Sequence, residues 1–124
     1  MPGRLRRSAE FERVKREGGF WRGNRCSVNA ARQPIKAEGD NGTPICAGIR
    51  VGYITSRKVG SAVQRNGARR LLRESVRSLM TMIEPGWDIV VIARPAVAER
   101  GVRMQDVRDE LQWLLKKAQL IQPV

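Results

Sequence analysis

Arg50–Glu74, RVGYITSRKVGSAVQRNGARRLLRE, passes from an alternating stretch through a glycine-bearing turn into a segment where arginine recurs every three or four residues. Ile45 to Thr55 alternates as a half-buried strand does, with Ile49, Val51 and Tyr53 on one face and Arg50, Gly52 and Ile54 on the other. Arg50 is therefore expected to face outward. Ser56 to Gly60 turns the chain, and Ser61 to Met80 fits a helix. At about 100° per residue, Arg65, Arg69, Arg70, Arg73 and Arg77 fall within roughly 140° of arc together with Asn66, while Ala68, Leu71, Leu72 and Leu79 lie opposite. Pro85 and Gly86 end that helix, and the nearly continuous apolar run from Asp88 to Arg94 reads as a strand buried on both faces. Strand, helix and strand make a crossover.

The identity of the cations is informative. Arginine carries a planar fork that makes paired hydrogen bonds to phosphate and can stack on a base, which a lysine ammonium cannot do. A solvated charged face is normally balanced by carboxylates at helical spacing, yet Glu74 is the only acidic residue between Ser61 and Met80. The stripe points to a polyanion.

The rest of the chain supplies a scaffold. Ser8 to Glu17 reads as a first helix with Ser8 as its N-cap, ended by Gly18 and Gly19. Phe20 to Ala31 carries the composition of one or two short strands. Residues 33–44, QPIKAEGDNGTP, read as an exposed loop, and 121–124 as a tail. A last helix, about Val102 to Leu120, aligns Met104, Val107, Leu111, Leu114, Leu115 and Ala118 on one face, with Trp113 near its edge. The expected fold is α+β, a single domain over 1–124 in the order αβββαβα, a two-layer sandwich with one sheet face covered by helices.

Composition limits the chemistry. Lys and Arg total 24 against 12 acidic residues, a net charge of +12 in 124 residues, which suits a nucleic acid or an anionic surface. The longest apolar run, Ile89 to Ala93, is far below the roughly 18 residues of a membrane span, and the N-terminus lacks the apolar core of a secretory signal. No membrane partner is expected, and the location is read as cytoplasmic. Histidine is absent, which excludes Ser-His and Cys-His catalysis and histidine-ligated metal sites. Cys26 and Cys46 are not spaced as a metal pair and read as small core residues. The scattered carboxylates form no tight cluster for two metal ions. The polypeptide has no visible catalytic machinery and no organic cofactor is expected.

Arg65, Asn66, Gly67, Ala68, Arg69, Arg70, Leu71, Leu72, Arg73 and Glu74 resemble the hallmark of the bacterial ribonuclease P protein family: Arg-Asn-Arg, one residue, Lys/Arg-Arg, two residues, Arg-Glu. Gly67 departs from it, standing where the family usually has its second arginine. The segments RVGYITSRKVGSAV, PGWDIVVIARP and LRRSAEFERV are similar to the strand and turn before that helix, the last strand and the first helix. The resemblance implies a left-handed crossover, in the fold shared with the second domain of a small-subunit ribosomal protein. It implies an RNA catalyst that uses Mg2+, bound mainly by the RNA, to cut the 5′ leader from precursor tRNA, with the protein as a subunit of that endoribonuclease. On this resemblance Arg57, Lys58, Arg65, Asn66, Arg69, Arg70 and Arg73 contact the catalytic RNA, and Asn66 lies near a bound metal ion. Phe11, Lys15 and Arg50 serve the leader cleft, Lys15 occupying the place of a second aromatic common in relatives. Asn24 and Arg25 match family positions without an assigned role.

Two other readings remain. A structural RNA-binding protein of ribosomal type shares the basic helix but contributes nothing to leader-dependent cleavage. A DNA-binding protein is disfavoured, since no helix precedes the arginine helix at helix-turn-helix spacing.

Overall fold

The computed structural model describes residues 3–35 and 48–121. Its elements are β1 (Gly3–Arg4), α1 (Ser8–Glu17), β2 (Gly19–Arg22), β3 (Cys26–Arg32), β4 (Arg50–Ile54), α2 (Ala62–Leu79), β5 (Trp87–Ala93) and α3 (Met104–Lys117), with short 3-10 turns at Arg57–Val59, Met80–Met82 and Pro95–Ala98. The strands form one mixed sheet in the order β1-β4-β5-β3-β2.

The apolar run of β5 becomes the sheet's centre because it can be buried on both sides. Val90 pairs with Gly52 of parallel β4 and with Asn29 of antiparallel β3. Ile89, Val91 and Ala93 point to one face with Cys26, Val28, Ala30 and Val51, where Leu72, Val76 and Leu79 of α2 and Val107, Leu111, Leu114 and Leu115 of α3 complete the main core. Val90 and Ile92 point the other way, against Leu5, Val14, Ala31 and Phe11. Helix α1 thus covers the second face, which corrects the expectation of a sheet covered on one side only. Its apolar stripe is short, with Val14 its one fully buried residue, so the sequence pattern understates it.

Three further differences concern ends of elements. The two-residue β1, parallel to β4 through Gly3–Arg50 and Arg4–Val51, is too short to leave a periodic signal. The cap of α1 is Arg7 rather than Ser8. Glu10 accepts from the backbone N–H groups of Arg6 (3.3 Å) and Arg7 (3.2 Å), satisfying donors that a helix start leaves open. Ile121, read as the start of a tail, is buried and bridges to Ile83.

Helix α2 starts as its residues require. Ser61 Oγ accepts from Gln64 N–H (3.2 Å), and Gln64 Oε1 accepts from Ser61 N–H (2.8 Å), a reciprocal capping box. Because β4 and β5 lie side by side and parallel, α2 is the crossover between them. The expected loop begins in order: buried Gln33 donates to the carbonyls of Gly48 (2.9 Å) and Trp87 (3.1 Å). Residues 36–47, with Cys46, and 122–124 lie outside the described residues.

Candidate RNA interface

Burying Ala68, Leu72, Ser75, Val76 and Leu79 turns the opposite side of α2 to solvent beside the β1–β4 edge. A groove of about 590 Å³ opens there, lined by Asn66, Arg69, Arg70, Arg73, Glu74 and Arg77 of α2 and by Gly3, Arg4, Val51 and Tyr53 of the sheet. Among the described residues, five guanidinium groups therefore line the groove with one carboxylate. Arg69 Nη2 donates to Thr55 Oγ1 (2.6 Å), which fixes its reach. The Arg73 guanidinium lies 5.9 Å from the centre of the Tyr53 ring. Burial pushes the Tyr53 phenol up to about 12, against the opposing pull of Arg73 and Arg4, so at neutral pH it stays an uncharged donor.

Of the RNA-contact candidates, the structure brings Asn66, Arg69, Arg70 and Arg73 into this groove. Arg57 and Lys58 stand exposed on the 3-10 turn that leads into α2. Arg65 is half-buried, does not line the groove, and has its Nε shielded with no hydrogen-bond partner among the described residues. Gly67 is exposed, and a Cβ there meets nothing within 4 Å.

Of the leader candidates, Phe11 and Arg50 lie on the other face, between α1 and the sheet. The Phe11 ring packs on β4 where Gly52 has no side chain; a Cβ at Gly52 comes within 2.6 Å of the ring. Lys15, one turn on, is exposed. Arg50 does not face outward into solvent. Its Nε and Nη2 donate to Asp88 Oδ1 (2.7 Å) and Oδ2 (2.6 Å), and its Nη1 to Glu10 Oε2 (2.9 Å). Asp88, fully buried, also receives Arg13 of α1, whose Nη1 donates to the Arg32 carbonyl (3.2 Å). A buried carboxylate thus clamps α1 to the sheet through two arginines, because a charge taken out of water must be paired. The sequence signal was a lone acid at the mouth of an apolar strand, and its partners are distant in the chain. Glu10 titrates below the ordinary carboxylate range. Burial raises it, but the Arg7 and Arg6 N–H groups and the Arg50 and Arg7 charges outweigh that effect.

Asn24 and Arg25 sit at the sheet's far end. Glu110 of α3 accepts from the N–H groups of Arg25 (2.7 Å) and Cys26 (2.9 Å) and from Arg25 Nη1 (3.4 Å), tying β3 to α3. Cys26 is fully buried, and burial beside Glu110 pushes its thiol up, so it is an unreactive core residue. Among the described residues no group of three or more His, Cys, Asp or Glu could hold a metal ion, and no helix is long and apolar enough to cross a membrane. Asn66 offers one neutral amide oxygen among arginines that repel a divalent cation, so the protein side alone does not make up a magnesium site.

Comparison with known proteins matches the family model described as Ribonuclease P over residues 2–119. The ribonuclease P protein component of Roseiflexus sp. strain RS-1 is 37% identical over 120 residues, covering 96% of this chain and 88% of that protein. That of Dehalococcoides mccartyi strain ATCC BAA-2266 is 38% identical over 118 residues, 95% of this chain and 86% of that one. Among solved structures, the ribonuclease P protein of Thermotoga maritima superposes with a TM-score of 0.75 at 30% identity, covering 92% of this chain and 96% of that chain. The Staphylococcus aureus protein superposes at 0.76 and 24% identity, over 98% and 100%, a likeness of fold. With the arginine groove and the α+β fold already described, these matches make the chain a member of the ribonuclease P protein family.

Proposed function

We propose that this member of the ribonuclease P protein family docks on the catalytic RNA through the α2 groove and takes the 5′ leader of precursor tRNA between α1 and the sheet. The observation that carries the reading is the groove itself, where five arginines and one carboxylate converge on a single concave strip. Closely spaced phosphates need neutralising at such density, and the planar forks of Arg69, Arg70 and Arg73 suit them. Arg57, Lys58 and Arg65 extend the positive surface around the helix start. Asn66 lies where the RNA and its own bound ions approach the helix. The magnesium chemistry of bond cleavage belongs to the RNA, and no protein side chain touches the reacting phosphate in this reading.

On the opposite face, Phe11 offers the accessible part of a half-buried ring to a leader base, and Lys15 offers an ammonium to a leader phosphate. A stack that any base can make, with a charge that any phosphate can meet, binds a leader without demanding its sequence. Arg50 and Arg13, committed to Asp88, hold α1 against the sheet. The reading places the protein in the cytoplasm with its RNA partners.

The test is cleavage of a precursor tRNA by a bacterial ribonuclease P RNA at low magnesium, with and without this protein. Strong stimulation at the mature 5′ end, greater with a long leader than with a single leader nucleotide, is the expected result. RNA binding without stimulation makes the chain a structural RNA-binding protein instead.

A further inference from the structure

The arginines of α2 form one wall of the groove, and β1 and β4 form its floor. On the α2 side of β4 Val51 is buried and fills the core, and Tyr53 follows it, half-buried and lining the groove. The Tyr53 ring packs against the main core with only part of its surface. An aromatic ring with a polar tip, set among Arg4, Arg69, Arg70, Arg73 and Arg77, does something further. It gives a π-face in a site whose walls bind phosphate.

We propose that this groove receives one unpaired nucleotide of an RNA, its base laid on the Tyr53 ring and its flanking phosphates held by Arg69, Arg70 and Arg73. The proposal rests on the reading of α2 as the RNA-facing helix and adds to it a base site and its contents. The volume, about 590 Å³, lies within the range of roughly 300 to 1,000 Å³ typical of small-ligand sites. Paired bases in an A-form duplex are stacked and turned inward, so only an unpaired nucleotide can present its face to the ring. In the free protein the Arg73 guanidinium covers that face at 5.9 Å. On binding it swings onto a phosphate and the base takes its place, one cation–π contact being exchanged for a stack and a charge-assisted hydrogen bond. Among the described residues, Glu74 is the only carboxylate lining the groove. It repels phosphate and accepts from an exocyclic amine, so it faces the base and favours one bearing an amino group.

Binding of a bacterial ribonuclease P RNA to the wild-type protein and to Tyr53→Leu, Tyr53→Phe and Arg70→Ala, titrated across a salt series, tests this. Ultraviolet crosslinking of the wild-type complex, with mass spectrometry of the adduct, supplies a readout that needs no variant. The expected result is a loss of roughly 5- to 100-fold for Tyr53→Leu, the size of one base stack, with the salt slope unchanged. Tyr53→Phe should keep wild-type affinity, and the adduct should fall on the β4 peptide containing Tyr53. Wild-type affinity for Tyr53→Leu and no adduct on β4, with Arg70→Ala still weakened, overturns the base site while leaving α2 as the RNA surface. A Tyr53→Leu loss accompanied by a shallower salt slope also overturns it, since Tyr53 then acts only by placing Arg73. If Arg70→Ala binds as the wild type does, the RNA-facing role of α2 fails and the base site with it.

Discussion

Arg70 and Gly67 stand one turn apart on α2, both exposed, and they give opposite tests of the same surface. Arg70 lines the groove, so replacing it with alanine should remove one phosphate contact. RNA binding is expected to weaken by about 1 to 3 kcal/mol, with the salt slope shallower by about 1; a slope unchanged from wild type takes Arg70 out of the phosphate interface. Gly67 departs from the family motif, and the structure supplies no steric reason for it, since a side chain there enters open space. At high salt, where the added like charge is screened, Gly67→Arg should therefore raise the thermal midpoint, because glycine in a helix interior costs about 1 kcal/mol relative to a good helix former. It should also tighten RNA binding and steepen the salt slope. A more stable variant that binds less tightly identifies Gly67 as a point where the RNA backbone approaches α2 too closely for any side chain. The two readouts separate folding from recognition, which affinity alone does not.

At the scale of elements, α2 and β5 were legible in the sequence because each carries a single dominant pattern: arginines and apolar residues at helical spacing in one, a continuous apolar run in the other. What joins the elements was not. The clamp of α1 depends on Asp88 meeting Arg13 and Arg50, residues 75 and 38 positions away along the chain, and no local period encodes such a meeting. The same holds for Tyr53 under Arg73, which needs β4 and α2 packed before the ring and the cation share a groove. The clamp makes two predictions. Asp88→Asn leaves two arginines facing an uncharged amide in a buried site, and breaking such pairs costs about 3 to 5 kcal/mol. The urea midpoint should fall by that equivalent, and hydrogen exchange should rise first in α1. A uniform rise over all helices would show that α1 is not a separable unit. The second prediction concerns acid. Glu10 has a folded-state pKa below its ordinary value, net of burial, because of the Arg7 and Arg6 N–H groups and the Arg50 charge. Its contribution is therefore fully present above its unfolded value near 4.5 and is lost as pH falls through the lower folded value. Glu10→Gln should flatten the fall in stability below about pH 4.5 while leaving the neutral-pH dependence unchanged. An equally steep acid limb in the variant assigns the effect to other carboxylates.

For the whole molecule, the same charge that recruits RNA works against folding. A net charge of +12 on 124 residues, with five guanidinium groups lining one groove, repels itself in the compact state more than in the expanded chain. Anything that binds the groove in the folded form and not in the unfolded one shifts the balance by mass action, adding about 1.4 kcal/mol for each tenfold rise in free ligand above its dissociation constant. Sulfate and phosphate carry the tetrahedral oxygens that the arginine forks meet, and chloride does not. At equal ionic strength, where general screening is the same, sulfate should raise the thermal midpoint well above its value in chloride. Each added kcal/mol corresponds to about 3 to 6 °C for a domain of this size. Sulfate also stabilises proteins by exclusion from their surfaces, so the decisive comparison is with an Arg70→Ala/Arg73→Ala variant. That variant, relieved of two like charges, should start from a higher midpoint in chloride and gain less from sulfate. An equal gain in both proteins means that the groove binds no anion and that the charge is merely tolerated. A smaller gain means that the surface which meets RNA is one the free protein leaves electrostatically unsatisfied, so that RNA docking and completion of the fold draw on the same arginines.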